Sequence, residues 1–191
     1  MDTSSIQHFK TLIRKYKENF FVFNYIFFSI AFVVGLSTGE IIMSVATISL
    51  VLNWILEGQF KQKLKLIKER NYVPFLLTFG YVSLLIWLLN SSDFSYALRD
   101  LKIKLPILFF PLVLGTINFS RKVLNLLLKF FILGVLFSTA ISLLVYLEFI
   151  PIKNNISDVR NISIFISHIR LSLLVCFSIT LLVYFWSIKG K

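Results

Sequence analysis

The sequence predicts an all-α fold, a polytopic transmembrane bundle of about six helices with a cytoplasmic N-terminus. Of its 191 residues, 57% are hydrophobic, and the mean hydropathy is +0.83, whereas soluble domains contain about 45–50% apolar residues. The apolar residues fall into blocks of roughly 16–25 residues, about the length that crosses a bilayer. Such blocks are too many and too apolar to be the core helices of a small soluble domain.

Six apolar blocks are predicted to cross the membrane within a transmembrane domain over residues 20–188. Residues 1–19 precede this domain. Their apolar positions recur on one helical face and their cations lie largely off it, which predicts an amphipathic helix on the cytoplasmic surface. The predicted spans are Phe20–Leu36, Ile41–Leu56, Val73–Leu89, Pro106–Phe119, Leu126–Phe149 and Ile162–Trp186.

The segments between the spans differ in length and charge. Ser37–Glu40 is predicted to form a tight external turn. The basic segment Glu57–Tyr72 is predicted to be an interfacial cytoplasmic helix, because Phe60, Leu64 and Ile67 recur on one side of it. The longer external segments are expected at residues 90–105 and 150–161.

The fourth span is the weakest part of this topology. Residues 106–119 cover roughly 20 Å as a helix, against a hydrocarbon core of about 30 Å. We therefore expect the span to recruit Leu98, Leu101 and Leu105 and to bend near Pro106 or Pro111. If it instead dips into the membrane and returns, every later segment is inverted.

The net charge of +11 is distributed unevenly and supports this orientation. Most of the 20 Lys and Arg residues lie on the predicted cytoplasmic segments, as the positive-inside rule requires. Cations that flank membrane helices account for the charge, so membrane lipids are expected partners and nucleic acid is not. The predicted external cations are Arg99, Lys102, Lys104, Lys153, Arg160 and Arg170.

Three of these cations define a feature that we call the basic shelf: Arg99, Lys102 and Lys104. The segment that carries them has the pattern of an amphipathic helix that Ser92 or Asp93 can cap. The functional interpretation is that the basic shelf holds an anionic headgroup or a lipid phosphate. The alternative is a surface helix that rests on lipid phosphates without any substrate.

Arg170 is the strongest single candidate for a binding residue. On a helix, Ser163, Ser167 and Arg170 lie within about 60° of one another and form a polar stripe, with Arg170 about 12 Å from the outer end of the span. A charged side chain within a membrane usually faces a cavity or a partner. Arg170 is therefore predicted to grip a phosphate from an outward-open cavity. The alternatives are an ion pair with a carboxylate such as Glu148 or Asp158, or snorkelling outward.

Catalytic and metal-binding motifs are not evident in the sequence. It contains no P-loop, zinc signature or nucleophile elbow. His168 points away from Arg170, because residues two apart do not share a helical face, and a lone histidine makes no metal site. We expect no cofactor and no metal, and the catalytic residues stay unknown.

Two segments resemble bacterial O-antigen ligase and polymerase proteins. Tyr96–Leu112 is similar to a Lys-Leu-Pro-rich stretch of that family, and Ser163–Leu174 is similar to the start of a later membrane helix. The resemblance implies a glycosyltransferase of the bacterial inner membrane. It would move a glycan from undecaprenyl diphosphate to an acceptor at the periplasmic face, without a nucleotide sugar or a tightly held metal. It also implies that Arg170, Ser167 and the basic shelf bind the diphosphate.

The chain departs from this family in its length. Family members are about twice as long, and their large periplasmic loop with its catalytic histidine lies in the second half. His168 is therefore not equated with that histidine, and the chain is expected to be an N-terminal half that is inactive alone. The alternative functions are a non-catalytic membrane scaffold or accessory subunit and, ranked last, a transporter or flippase fragment.

Overall fold

A computed structural model of the chain describes residues 3–91, 93–149 and 163–189. The described residues are all-helical, and no strand occurs among them. The predicted loop at 150–161 lies outside these ranges, and so do Lys153, Asp158 and Arg160. The helices are α1 (Thr3–Thr38), α2 (Glu40–Glu57), α3 (Phe60–Glu69), α4 (Val73–Leu88), α5 (Phe94–Thr116), α6 (Arg121–Tyr146) and α7 (His168–Lys189).

Several of these helices are compatible with a multi-pass membrane protein. By length and composition, α3 and α4 supply one further candidate span if the pair is counted together, although the two helices are bent by 96°. Large apolar side chains are exposed along the helices, as on a surface that contacts lipid, and Trp186 is 82% exposed. Within the described ranges, four stretches pass as single spans: Asn19–Thr38, Glu40–Glu57, Arg121–Tyr146 and His168–Ser187.

The start of the chain is one long helix. The segment predicted as an amphipathic helix on the cytoplasmic surface continues without a break into the first predicted span, in α1. Gly39 alone separates α1 from α2, so the turn expected at Ser37–Glu40 is confirmed. A Cβ on Gly35 would lie 2.7 Å from the backbone nitrogen of Met43. Only glycine therefore permits this close approach between the end of α1 and the start of α2.

The basic shelf and the fourth predicted span belong to one helix, α5. Its cap is confirmed, because the side chain of Asp93 accepts the Tyr96 N–H at 3.0 Å. Leu98, Leu101 and Leu105 belong to the same helix as the predicted fourth span, and Pro106 and Pro111 both lie inside it. By composition α5 does not pass as a span, since its first half carries the basic shelf and Asp100. The count of about six spans is thus not reached by length and composition alone.

The start of the last helix differs from the prediction. α7 begins at His168 rather than near Ile162, and residues 163–167 precede it as a non-helical segment. The Oγ of Ser163 donates to the carbonyl oxygen of Ile166 at 2.5 Å. The predicted stripe of Ser163, Ser167 and Arg170 on one helical face is therefore not formed. Arg170 lies in the first turn of α7, not two turns into a span.

The helices fall into two compact units, and the boundary lies inside α2. Residues 1–46 and 119–191 form the first unit, in which α6 packs against α1 and α7. Its core is built from Phe131, Ile132 and Val135 of α6 with Leu181 of α7.

Residues 47–118 form the second unit, in which α4 packs along α5 and α3 contacts both helices. The buried Tyr81 hydroxyl of α4 donates to the carbonyl oxygen of Leu101 in α5 at 3.1 Å. Near the start of α4, Gly115 of α5 lies directly against Pro74. Because Tyr81 lies midway along α4 and Pro74 lies near its start, these two contacts hold α4 and α5 together at two separate levels.

Gly115→Ala is expected to destabilise the protein, because a Cβ at this position would collide with the ring of Pro74. Overpacking of this kind costs about 1–3 kcal/mol. Gly80→Ala in α4 is the control, since nothing lies within 4 Å of a Cβ there. Alanine at that helical site is neutral or stabilises by up to about 1 kcal/mol. Thermal unfolding in detergent, followed by circular dichroism, measures both variants, and equal midpoints would contradict the packing argument.

Candidate functional site

The predicted site residues are divided between the two units. Arg170 and Ser167 belong to the first unit, and the basic shelf belongs to the second. Each group is described here within its own unit.

Arg170 forms an ion pair with Glu40 in the first unit. Its Nη1 lies 2.9 Å from Oε1 of Glu40, and the two side chains are 63% and 69% exposed. Glu40 is the first residue of α2, where a carboxylate is favoured by the helix dipole, whereas a cation in the first turn of α7 is disfavoured. The negative charge of Glu40 therefore offsets the unfavourable position of the Arg170 cation at the N-terminus of α7. Because the pair is exposed, it contributes at most about 1 kcal/mol.

The predicted carboxylate partners of Arg170 did not include Glu40. Glu148 is not its partner in the structure, and Asp158 lies outside the described residues. Glu40 stands 130 positions before Arg170 in the chain, so no local pattern joins the two. The predicted topology could have indicated this ion pair, because it places the α1–α2 turn and the start of the last span on the same side of the membrane.

Ser167 lies immediately before α7 and acts on its backbone. Its Oγ accepts the N–H of Arg170 at 3.4 Å, the geometry of a long N-cap hydrogen bond. The guanidinium of Arg170 contacts Glu40 through Nη1 alone. Its remaining donors form a planar fork that matches the oxygens of a phosphate. The arrangement can therefore hold one further anion beside Glu40.

The basic shelf is only partly neutralised. Lys104 pairs with Asp100 on the same helix at 2.5 Å, and both side chains are partly exposed. Arg99 and Lys102 are exposed, and neither pairs with a carboxylate of the described residues. Two of the three predicted cations are therefore available to an anion.

Lys63 lies at the centre of a polar cluster that the sequence did not single out. Although it belongs to the basic segment, its exposed fraction is only 6%. Its Nζ donates to the carbonyl oxygen of Trp54 at 2.5 Å and pairs with Glu57 at 2.8 Å. It also lies 4.6 Å from the centre of the Trp54 ring. The indole N–H of Trp54 donates in turn to Thr116 at 2.8 Å.

The basic segment predicted as an interfacial helix forms α3. Of the apolar residues on its predicted interfacial side, Ile67 is buried, whereas Phe60 and Leu64 are 49% and 66% exposed. Lys63 is buried as well, which the apolar spacing did not predict. In a membrane protein the exposed Phe60 and Leu64 can contact lipid, so their exposure is not penalised as it would be in water.

Arg70 follows α3 and contacts the end of α5. Its guanidinium donates to the carbonyl oxygens of Gly115 at 2.7 Å and Ile117 at 3.4 Å, and to Oδ1 of Asn118 at 2.5 Å. Carbonyls in the last turn of a helix lack intrahelical partners and attract cations. Arg70 therefore caps the C-terminus of α5, as Lys63 caps that of α2.

An open apolar cleft of about 560 Å³ lies between α4 and α5, with Arg70 at one end. In the described part of the chain, no three His, Cys, Asp or Glu side chains are grouped to hold a metal ion. Comparisons with protein-family models, curated proteins and solved structures find no match for this chain. The resemblance to O-antigen ligases and polymerases therefore depends on two sequence segments alone.

Lys63→Met is expected to lower the free energy of unfolding by about 3 kcal/mol, because it removes a buried ammonium that binds the carbonyl oxygen of Trp54 and pairs with Glu57. Lys65→Met on the same helix is the matched control. Lys65 and Glu69 are 3.9 Å apart, with side chains 78% and 56% exposed, so their loss changes stability by less than about 0.5 kcal/mol. Denaturant unfolding followed by tryptophan fluorescence compares the two variants. Equal losses would show that the burial of Lys63 does not matter.

Proposed function

We propose that this protein is a multi-pass glycosyltransferase of O-antigen ligase or polymerase type in the bacterial inner membrane. Its N-terminus is cytoplasmic, and about six helices cross the bilayer. It binds an undecaprenyl-diphosphate-linked glycan at the periplasmic face. Arg170 is the principal ligand of the diphosphate in the first unit, with Ser167 beside it. In the second unit, Arg99, Lys102 and Lys104 are the proposed additional ligands of phosphate groups.

The observation that carries this proposal is the position of Arg170 in the first turn of an apolar helix, with most of its guanidinium unoccupied. The end of a membrane span lies at headgroup depth, which is also the depth of a carrier diphosphate. A planar guanidinium fork binds phosphate oxygens in pairs. Glu40 holds Nη1 and leaves the rest of the fork open to such a ligand.

The chemistry of glycosyl transfer is favoured by a cation beside the leaving diphosphate. The acceptor oxygen bonds to the anomeric carbon while the bond from that carbon to the diphosphate oxygen breaks. The diphosphate leaves with an additional negative charge, which fixed cations stabilise. The acceptor proton passes to a general base, for which we propose no residue.

The contact between Glu40 and Arg170 also supports the proposed topology. Because the two side chains meet, the start of α2 and the start of α7 lie on the same side of the bilayer. The chain must then cross an even number of times between them, and α2 and α6 account for two crossings. Accordingly, α4 and α5 either both cross or both stay out. Four crossings and six crossings both satisfy this condition, whereas five do not.

A second candidate function is favoured by the same ion pair. If Glu40 and Arg170 serve only to join the ends of α2 and α7, Arg170 needs no further ligand. The protein is then a non-catalytic membrane scaffold or accessory subunit.

Arg170→Gln is expected to weaken binding of undecaprenyl diphosphate by about tenfold or more, the loss of one charge-assisted contact to phosphate. Binding is measured by titrating the full chain in nanodiscs. Arg121→Gln is the matched control, because Arg121 occupies the first turn of α6. That helix is capped by Ser120, whose Oγ accepts the Val123 N–H at 3.4 Å. Arg121 lies at the opposite face in the proposed topology, so its variant binds as the wild type does.

The charge exchange Glu40→Arg with Arg170→Glu separates the two candidate functions. It restores an ion pair between α2 and α7, so stability lost in either single variant is recovered. Binding of undecaprenyl diphosphate is expected to stay weak, because the guanidinium now lies on α2 instead of α7. If Arg170→Gln left diphosphate binding unchanged, the proposed site would be wrong and the scaffold function would stand.

A further inference from the structure

The cleft between α4 and α5 combines an apolar wall with a single cation. Its volume of about 560 Å³ lies within the range of about 300–1,000 Å³ typical of small-molecule sites. Val73 and Leu77 of α4 face Phe110 and Leu114 of α5 across it, and Arg70 lies at one end. A ligand that fills this cleft must be apolar over most of its length and anionic at one end.

The direction of the cleft follows the break between α3 and α4. The two helices meet at 96°, and Arg70 stands at the corner, just before α4 begins. From Val73 to Leu77, α4 rises by about 6 Å away from this corner. The apolar lining therefore extends away from Arg70 along the axis of α4.

The surroundings of Arg70 leave its charge uncompensated. Its three partners are the carbonyl oxygens of Gly115 and Ile117 and the amide oxygen of Asn118. All three are neutral, and within the described ranges no carboxylate pairs with Arg70. These contacts fix the guanidinium at the mouth of the cleft without neutralising it. The complementary group is an anion, and a phosphate can accept from the two N–H donors that these contacts leave open, those of Nε and Nη1.

We propose that this cleft binds one anionic phospholipid of the cytoplasmic leaflet, with its phosphate on Arg70 and part of an acyl chain between α4 and α5. A basic amphipathic helix lies in the plane of the membrane interface, so α3 holds Arg70 at headgroup depth while α4 enters the hydrocarbon. The exposed cations Lys61 and Lys68 on α3 attract the anionic lipids of that leaflet. The site lies in the second unit and is separate from the proposed diphosphate site at Arg170.

Lipid retention by the detergent-solubilised full chain tests the proposal. Phosphatidylglycerol and phosphatidylcholine with identical acyl chains are added in equal amounts, and bound lipid is counted by native mass spectrometry. Wild type is expected to retain phosphatidylglycerol about tenfold more than phosphatidylcholine, because only the former has a net negative charge for Arg70. Arg70→Gln abolishes this preference.

Leu77→Trp tests the cleft without changing Arg70. A second variant is needed because the loss of Arg70 also removes its hydrogen bonds to the C-terminus of α5. The indole fills the cleft and is expected to prevent retention of phosphatidylglycerol. Leu76→Trp is the matched control, because Leu76 and Leu77 are adjacent in α4 and are 61% and 60% exposed, but of the two only Leu77 lines the cleft. Leu76→Trp therefore retains phosphatidylglycerol as the wild type does.

Three results would overturn the proposal. The first is equal retention of the two phospholipids by wild type. The second is undiminished retention of phosphatidylglycerol by Leu77→Trp. The third is displacement of phosphatidylglycerol by an equal amount of undecaprenyl phosphate, which would assign the cleft to a lipid carrier instead. Arg170→Gln leaves the phosphatidylglycerol preference unchanged, so failure at one site does not imply failure at the other.

Discussion

The unpaired backbone groups at the ends of the helices are the constraint on which the other polar contacts depend. An apolar helix satisfies its backbone internally, except in its first and last turns. In this chain several charged side chains lie at those turns. Lys63 binds a carbonyl in the last turn of α2, and Arg70 binds carbonyls at the end of α5. Glu40 lies in the first turn of α2, at the positive end of the helix dipole. There it forms an ion pair with Arg170.

The same contacts determine which cations are available to a ligand. Lys63 is buried and paired with a carboxylate, so its charge is fully used within the protein. Arg170 donates from one nitrogen to the exposed carboxylate of Glu40, so its charge is only partly used within the protein. Arg70 is bound by neutral oxygens only, so it is held in place while its charge stays free. A cation that is positioned by neutral groups is better prepared for an anionic ligand than one that must first leave a carboxylate.

The sequence predicts the features that are local and not those that require distant contacts. The turn between α1 and α2 and the cap at Asp93 follow from neighbouring residues, and both were predicted. The burial of Lys63 was not, because apolar spacing on α3 marks a face without deciding whether that face meets protein or lipid. The partner of Arg170 lies 130 residues away. The start of α7 was also missed, since residues 163–167 are apolar enough to continue a helix but form a separate segment.

Whether α4 and α5 both cross the membrane or both stay out depends on what their surfaces would meet in each case. α4 is 16 residues long, about 24 Å, and Phe75, Phe79 and Trp87 on it are each more than half exposed. Outside the bilayer these side chains would face water at a cost of about 25 cal/mol for each Å² of apolar area. The 23 residues of α5 cover about 35 Å as a helix, but the apolar part after Lys104 covers only about 18 Å of a hydrocarbon core of about 30 Å. The topology that we propose therefore keeps the apolar side chains of α4 in hydrocarbon and requires the aliphatic stems of Lys102 and Lys104 to reach from within the membrane to the headgroups.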